Sequence, residues 1–265
     1  MINLRKYGEK PYNVVAVHGG PGAPGSVGSL ANEIASGYSV IEPFQSKDSI
    51  EEQVNELREV ILRHCNTPVV LVGHSWGAWL SYIYASKYPN EVAKLILVGC
   101  GAFETKYLSG MNQSRQDKLS IEEHETVNEL AELLYDPNCM ETKKVFKELG
   151  RVMTKADTYE AISDVVETLD YQPDVFKKVM AEVSDMRKSG NLIKIAKHIT
   201  CPVIAIHGDE DSHPYQGVEE PLSEVLEHFS LIRLEKCGHY PWNEVHARDE
   251  FYEVLFAELH KTLEE

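Results

Sequence analysis

The sequence has no long hydrophobic run, and this argues against insertion into a membrane. A helix that spans a bilayer needs about 20 consecutive apolar residues, and no stretch of this chain approaches that length. The first ten residues, MINLRKYGEK, also lack the apolar segment of a secretory signal. We therefore expect a soluble, cytoplasmic protein that does not bind membranes.

Basic residues are scarce. The 265 residues include 26 Lys and Arg against 42 Asp and Glu, which gives a formal net charge of -16. Nucleic acids and anionic lipids are bound through clusters of Lys and Arg. The charge therefore predicts no nucleic-acid partner and favours a small molecule or short peptide as substrate, but it does not indicate an oligomeric state.

Paired cysteines are also absent. The five cysteines are scattered and show no C-x-x-C spacing, so neither a disulfide framework nor a cysteine-based zinc site is indicated. We expect reduced, mostly buried thiols. They are Cys65, Cys100, Cys139, Cys201 and Cys237.

Short apolar runs alternate with segments of helical period. Such runs predict buried parallel strands, and helices between them predict an open α/β sheet with helices on both faces. The clearest helix spans 49–64, where Ser49 and Glu52 have the spacing of a capping box. The predicted strands are 13–17, 38–43, 68–73, 94–99, 202–207 and 230–235, and the other predicted helices are 79–87, 217–227 and 244–263.

This alternation stops in the middle of the chain. Residues 103–190 contain helical patterns such as EEHETVNELAELLY and KKVFKELGRVM, but no good parallel strand. Ligands bind at the C-terminal edge of the strands in open α/β sheets. We therefore predict one core domain, residues 1–102 and 191–265, with residues 103–190 inserted as a helical cap over that edge.

A serine lies between two glycines directly after a predicted strand. In GHSWGAW, residues 73–79, Ser75 is flanked by Gly73 and Gly77 and is followed by a predicted helix. This is the context of a nucleophile elbow, in which a sharp turn exposes the serine and small residues let strand and helix approach closely. Ser75 is the predicted nucleophile.

A serine nucleophile needs a histidine base that is oriented by a carboxylate. The loop EKCGHYPWNE, residues 235–244, follows the last predicted strand and offers His239 as the base. The loop HGDEDSHP, residues 207–214, offers Asp211 or Asp209 as the acid. We favour Asp211, because it lies further past the strand end, but Asp209 remains open.

Backbone N–H groups that stabilise an oxyanion can also be assigned. The glycine-rich segment HGGPGAPG, residues 18–25, follows the first predicted parallel strand, and its glycines leave backbone N–H groups unobstructed. We assign the two donors to the N–H groups of Trp76 and Gly20, with Gly19 as the alternative to Gly20. His74, beside the serine, is expected to pack or to bond backbone rather than to react.

Four segments in this order, HGGPG, GHSWGAW, HGDED and CGHYPW, resemble those of the α/β-hydrolase fold superfamily. The resemblance covers nearly the whole chain and implies a Ser75–His239–Asp211 triad without a cofactor. It also supports Asp211 as the acid, since family members commonly place the acid last in a Gly-x-x-Asp turn.

The HGGPG segment is similar to the proline iminopeptidase branch, in which cap carboxylates bind the substrate ammonium. The cap glutamates Glu122, Glu123, Glu125, Glu129 and Glu132 could do this, although their spacing indicates a largely solvated face.

The sequence thus predicts a cofactor-independent serine hydrolase that cleaves a carboxylic ester, or an amide, through an acyl-enzyme. Proline iminopeptidase, carbon–carbon bond hydrolase and ligand receptor are the alternatives. His207, Asp209, Asp211 and His213 alternate in the manner of metal ligands. Because an acid loop accounts for the same residues, we expect no metal.

Overall fold

The computed structural model describes residues 4–163 and 168–264. Its seven strands form one sheet in the order β1-β3-β2-β4-β5-β6-β7, in which only β1 runs antiparallel to its neighbour. The six predicted strands are confirmed, with bounds shifted by a few residues. The strands are β1 Leu4–Tyr7, β2 Tyr12–Val17, β3 Val40–Pro43, β4 Cys65–His74, β5 Val92–Val98, β6 Val203–Gly208 and β7 Phe229–Leu234.

Helices cover both faces of the sheet, as predicted. One buried apolar cluster joins the sheet to α2, α3 and α7, and a second joins its other face to α1 and α10. Ser49 caps α2 by accepting a hydrogen bond from the N–H of Glu52. The helices are α1 Gly28–Ile34, α2 Ile50–His64, α3 Trp76–Lys87, α4 Leu108–Lys118, α5 Ile121–Tyr135, α6 Thr142–Asp157, α7 Pro173–Lys188, α8 Asn191–Lys194, α9 Gln216–Val225 and α10 Arg248–Leu263.

Among the described residues, five α-helices, α4 to α8, lie between β5 and β6, and the first four fall in the segment predicted as a cap. Helices α5 and α6 pack on each other, with a small apolar cluster formed around Leu134 and Phe146. Helix α7 differs, because its Val179 and Val183 are fully buried in the same cluster as α2 and α3. Within the described residues, no helix is both long enough and apolar enough to cross a bilayer.

Candidate active site

Ser75 occupies a sharp turn between β4 and α3. Its backbone angles are φ 54° and ψ -117°, in a region that residues with a Cβ rarely adopt. Two backbone hydrogen bonds hold the turn: the N–H of Ser75 donates to the carbonyl of Val98, and its carbonyl accepts from Ala78, both at 3.0 Å. The serine therefore lies at the C-terminal edge of the sheet in a backbone conformation that the surrounding structure enforces.

The two flanking glycines are required by close backbone contacts. A Cβ at Gly73 would lie 2.3 Å from the carbonyl oxygen of Gly77, and a Cβ at Gly77 would lie 2.1 Å from that of Val17 in β2. No side chain fits at either position without moving backbone. Strand β4, helix α3 and strand β2 can therefore approach one another only because residues 73 and 77 are glycine.

His239 and Asp211 meet beside this turn. The Nδ1–H of His239 donates to Oδ2 of Asp211 at 2.7 Å, and both side chains are almost fully buried. His239 also contacts the residue before Ser75, since the Nε2–H of His74 donates to the carbonyl of His239 at 2.9 Å. Asp209, by contrast, is exposed and accepts a long 3.4 Å bond from the N–H of Cys237. Of the two candidate acids, Asp211 is therefore the one in contact with His239.

Glycines at two strand ends make room for this pair. A Cβ at Gly208, at the end of β6, would lie 2.1 Å from the carbonyl oxygen of Cys237. A Cβ at Gly99, just after β5, would lie 2.9 Å from the carbonyl oxygen of His239. The loops after β5, β6 and β7 can therefore converge on His239. The requirement at Gly99 was not recognised in the sequence.

Burial and charge oppose each other at this pair. Burial alone would raise the pKa of Asp211, but His239 and His213 outweigh it and hold this pKa well below 3.8. Burial alone would likewise lower the pKa of His239, but the Asp211 carboxylate raises it above 6.5. Asp211 thus stays ionised and increases the basicity of His239.

A second histidine, His213, shares the Asp211 carboxylate. Its backbone N–H and its Nδ1–H both donate to Oδ1 of Asp211, at 2.8 and 2.9 Å. Its ring stacks on that of His239, with centroids 4.5 Å apart and an interplanar angle of 25°. Burial lowers the pKa of His213 and favours its neutral form. The sequence indicated His213 only as a member of a ligand-like cluster, because the stacking depends on a loop conformation.

Residues of the segment predicted as a cap complete the surroundings of the two histidines. Arg115 of α4 forms a two-pronged ion pair with Asp157 at the end of α6, at 2.8 and 2.7 Å. Nη2 of Arg115 also lies 3.5 Å from Nε2 of His213. The carbonyl of Asp157 accepts the backbone N–H of His239 at 2.7 Å. These contacts were not found in the sequence, because their members lie far apart along the chain.

Glu244 forms another link between the cap and the loop of His239. Its buried carboxylate accepts the N–H of Gly238 at 2.9 Å and the N–H groups of Tyr159 and Glu160 at 3.0 and 2.8 Å. These three donors come from two segments that are distant in sequence. The carboxylate therefore joins the loop before His239 to the end of α6.

Within the part of the chain that the structure describes, Asp211, His213 and His239 form a group of potential metal ligands. Their potential ligand atoms lie within 4.8 Å of one another. In this arrangement both Nδ1 atoms face the carboxylate as hydrogen-bond donors, so N–H protons occupy the positions that a cation would need. The Nδ1 atoms of His213 and His239 cannot bind a metal ion while they donate these hydrogen bonds.

The glycine-rich segment after β2 approaches Ser75 from the other side. A Cβ at Gly19 would lie 3.0 Å from Cβ of Ser75, and Gly20 adopts a φ of 47° that turns the chain there. The N–H of Trp76 belongs to the first turn of α3, where backbone N–H groups have no partner within the helix. The N–H groups assigned as oxyanion donors thus come from segments on two sides of Ser75.

His74 and the glutamates between residues 122 and 132 were predicted to pack or to face solvent rather than to react. His74 is buried against the rings of His239, Tyr240 and Trp242. Glu123 caps α5 and pairs with Lys155. The remaining cap glutamates named above are exposed: Glu122, Glu125, Glu129 and Glu132.

Comparison with known proteins identifies the family of the chain. Residues 14–254 match a profile described as the alpha/beta hydrolase family. The chain belongs to that family. An esterase from Exiguobacterium antarcticum has a similar fold, with a TM-score of 0.69 and 17% identity over 97% of this chain and 94% of the esterase. No curated protein sequence matches significantly.

Other hydrolase-fold structures are similar to a comparable degree. VinJ matches with a TM-score of 0.68 and 18% identity, over 98% of this chain and 95% of its own. A proline iminopeptidase from Mycobacterium smegmatis matches with a TM-score of 0.64 and 16% identity, over 98% and 94%. At such identities the likeness establishes the fold, so the chemistry must be argued from the site.

Proposed function

We propose that this α/β hydrolase is a serine hydrolase that cleaves a carboxylic ester of a small molecule through an acyl-enzyme. The observation that carries the proposal is the buried bond of 2.7 Å between His239 and Asp211, beside a serine held at φ 54°. A cytoplasmic location is part of the proposal, supported by five free thiols. Ser75, His239 and Asp211 are its catalytic triad.

In the proposed reaction, Oγ of Ser75 attacks the ester carbonyl while Nε2 of His239 takes the serine proton. The N–H groups of Trp76 and Gly20 stabilise the negative oxygen of the tetrahedral intermediate. When the intermediate collapses, the C–O bond to the alcohol breaks and His239 returns the proton to the leaving oxygen. Water then repeats the sequence on the acyl-enzyme and releases the acid. Asp211 holds the histidine in the required tautomer throughout.

Proline iminopeptidase is the second candidate, and the HGGPG segment supports it. Such an enzyme would need a carboxylate to bind the substrate ammonium. Asp157 is the predicted cap residue whose backbone carbonyl accepts a hydrogen bond from His239. Its carboxylate is already paired with Arg115. We therefore rank the ester hydrolase first. Cleavage of a prolyl amide, lost when its amine is acylated, would reverse this order.

A small fluorophosphonate provides the decisive experiment, because an activated serine displaces its fluoride and becomes phosphonylated. We expect one adduct per chain on Ser75, located by peptide mapping, and no adduct in Ser75→Ala or His239→Ala. The matched control is His246→Ala, since His246 is a half-exposed histidine whose ring pairs with Glu160. An unmodified Ser75 in folded protein would refute the mechanism.

Substrate turnover, measured beside the labelling, separates the two remaining alternatives. A carbon–carbon bond hydrolase would also be labelled but would turn over diketones in preference to esters. A ligand receptor would bind its ligand saturably without releasing product. A panel of short and long acyl esters, assayed beside the labelling, therefore decides between hydrolysis and binding.

A further inference from the structure

Among the described residues, Lys94 and Arg187 are buried cations and Arg115 is about four-fifths buried, and one of these three has no acidic partner. Lys94 pairs with Glu258 at 2.8 Å and Arg115 pairs with Asp157 at 2.7 Å. Among the described residues, Arg187 forms no ion pair, although only 8% of it is exposed. In a chain with a net charge of -16, an unpaired buried guanidinium needs an explanation.

Arg187 lies on the buried face of α7. It follows Val179 and Val183 at four-residue spacing, and both valines are fully buried against the core. Its Nε donates to the carbonyl of Ala102 at 2.9 Å, and its guanidinium lies 4.7 Å from the ring centroid of Trp79. These two contacts fix the orientation of the guanidinium group but provide no negative charge to balance it.

The Trp79 ring beside this guanidinium carries a donor that has no acceptor among the described residues. The Nε1–H of Trp79 is buried and forms no hydrogen bond among the described residues, although only 6% of Trp79 is exposed. Burial lowers the pKa of Arg187, which is the signature of a charge removed from water. A buried charge without an opposite charge and a buried N–H without an acceptor are both unfavourable, and an anion bound by both groups would reduce both costs.

This pair of donors lies close to the proposed nucleophile. Trp79 is four residues beyond Ser75 along α3, or about 6 Å at the rise of an α-helix. Ala102 lies on the segment that leaves β5 past Gly99, and Gly99 faces His239. A ligand group held by Arg187 and Trp79 would thus lie within reach of a small ester at Ser75.

We propose that Arg187 and Trp79 form a subsite for a carboxylate, so that the substrate is an ester that also carries a carboxylate group. The inference rests on the proposed ester hydrolase and adds its substrate class. A guanidinium binds a carboxylate through two parallel N–H bonds, and one such group balances its single charge. A lysine at this position would supply the positive charge but not the two parallel N–H donors.

The kinetic experiment compares two esters that differ only in this charge. The 4-nitrophenyl monoester of adipic acid is assayed beside the same ester with its free carboxyl converted to a primary amide. We expect the wild type to favour the acid at least about tenfold in kcat/KM, as a charge-assisted hydrogen bond implies. Arg187→Met should abolish this preference, and Arg187→Lys should retain part of it.

Arg151→Met is the matched control. Arg151 is an exposed cap arginine that pairs with Glu148, so its loss should leave the ratio of the two rates unchanged. An equal fall for both esters in Arg187→Met would assign Arg187 a purely structural role and overturn the subsite. Absence of any preference in the wild type would overturn it as well.

A binding measurement distinguishes failure of the subsite from failure of the hydrolase. Adipate is titrated calorimetrically into wild type and Arg187→Met, with inorganic phosphate as a second anion, and is also tested for slowing fluorophosphonate labelling of Ser75. We expect adipate to bind and protect only the wild type.

If Ser75 is not labelled but adipate still binds through Arg187, the proposed hydrolase function fails and the anion site stands. If Ser75 is labelled and adipate does not bind, the anion site alone fails, and tighter binding of phosphate than adipate would overturn the carboxylate assignment.

Discussion

The backbone carbonyl of Asp157 accepts the backbone N–H of His239 at 2.7 Å, so a residue of the predicted cap directly holds the proposed base. The side chain of Asp157 pairs with Nε and Nη2 of Arg115, and the same Nη2 lies 3.5 Å from Nε2 of His213. The ion pair of Arg115 with Asp157, together with the buried carboxylate of Glu244, therefore joins the segment predicted as a cap to the loop of His239.

Removing one member of that pair should destabilise the fold. Arg115→Met leaves the Asp157 carboxylate buried and unpaired, which we expect to lower the free energy of unfolding by about 3 kcal/mol. The double variant Arg115→Met/Asp157→Leu removes both charges and should regain most of this loss. Urea unfolding of the three proteins checks the prediction, and a double variant as unstable as the single one would contradict it.

Two glycines should respond oppositely to alanine. Gly77→Ala would place a Cβ 2.1 Å from the carbonyl oxygen of Val17, and this overpacking should cost roughly 3 kcal/mol. Gly150, inside α6, has no atom within 4 Å of its Cβ position. Gly150→Ala should therefore stabilise the protein by about 0.5–1 kcal/mol. Thermal unfolding of both variants tests the contrast, which equal shifts would contradict.

The sheet and the loops of the candidate site could be predicted because local patterns encode them. Four of the six predicted strands, 13–17, 68–73, 94–99 and 202–207, are nearly continuous apolar runs. Ser75 stands in a turn whose glycines are required by the contacts of β4 with α3 and β2. Strand β1 was missed because LRKY contains two charges and pairs at an edge. Its formation depends on β3 and not on its own sequence.

The cap contacts could not be predicted, since they join residues whose spacing follows no period. Arg115, Asp157 and His213 lie on separate segments, and each alone resembles an ordinary surface residue in the sequence. Arg187 likewise occurs among charged neighbours in SDMRKSG. Only the packing of α7 shows that this arginine is buried while the neighbouring Asp185 and Lys188 are exposed.

The choice between the two candidate acids can be tested by amide substitution. Asp211→Asn preserves shape but removes the charge that stabilises protonated His239, so we expect kcat to fall about 10⁴-fold. Asp209→Asn is the matched control, because Asp209 is exposed and accepts from the N–H of Cys237, whereas His239 bonds Asp211. Steady-state hydrolysis of a 4-nitrophenyl ester measures both. A larger loss in Asp209→Asn would reassign the acid.

The pH dependence follows from the raised pKa of His239. The base must be neutral to accept the serine proton, and Asp211 raises the pKa of His239 above 6.5. On the acid side, kcat/KM should therefore fall with a midpoint above pH 6.5, since this ratio reports the free enzyme. In the residual activity of Asp211→Asn the midpoint should move to lower pH. An unchanged midpoint would mean that another group titrates.

His213 should influence the same midpoint through the shared carboxylate. Its Nδ1–H bond of 2.9 Å draws on the negative charge of Asp211, so removal of this donor leaves more of that charge for His239. We expect His213→Phe, which keeps a flat ring to stack on His239, to shift the acid midpoint of kcat/KM to higher pH. His246→Phe, at a half-exposed histidine that pairs with Glu160, should leave the profile in place. A fall in kcat of His213→Phe at every pH, without a shifted midpoint, would instead assign His213 to packing alone.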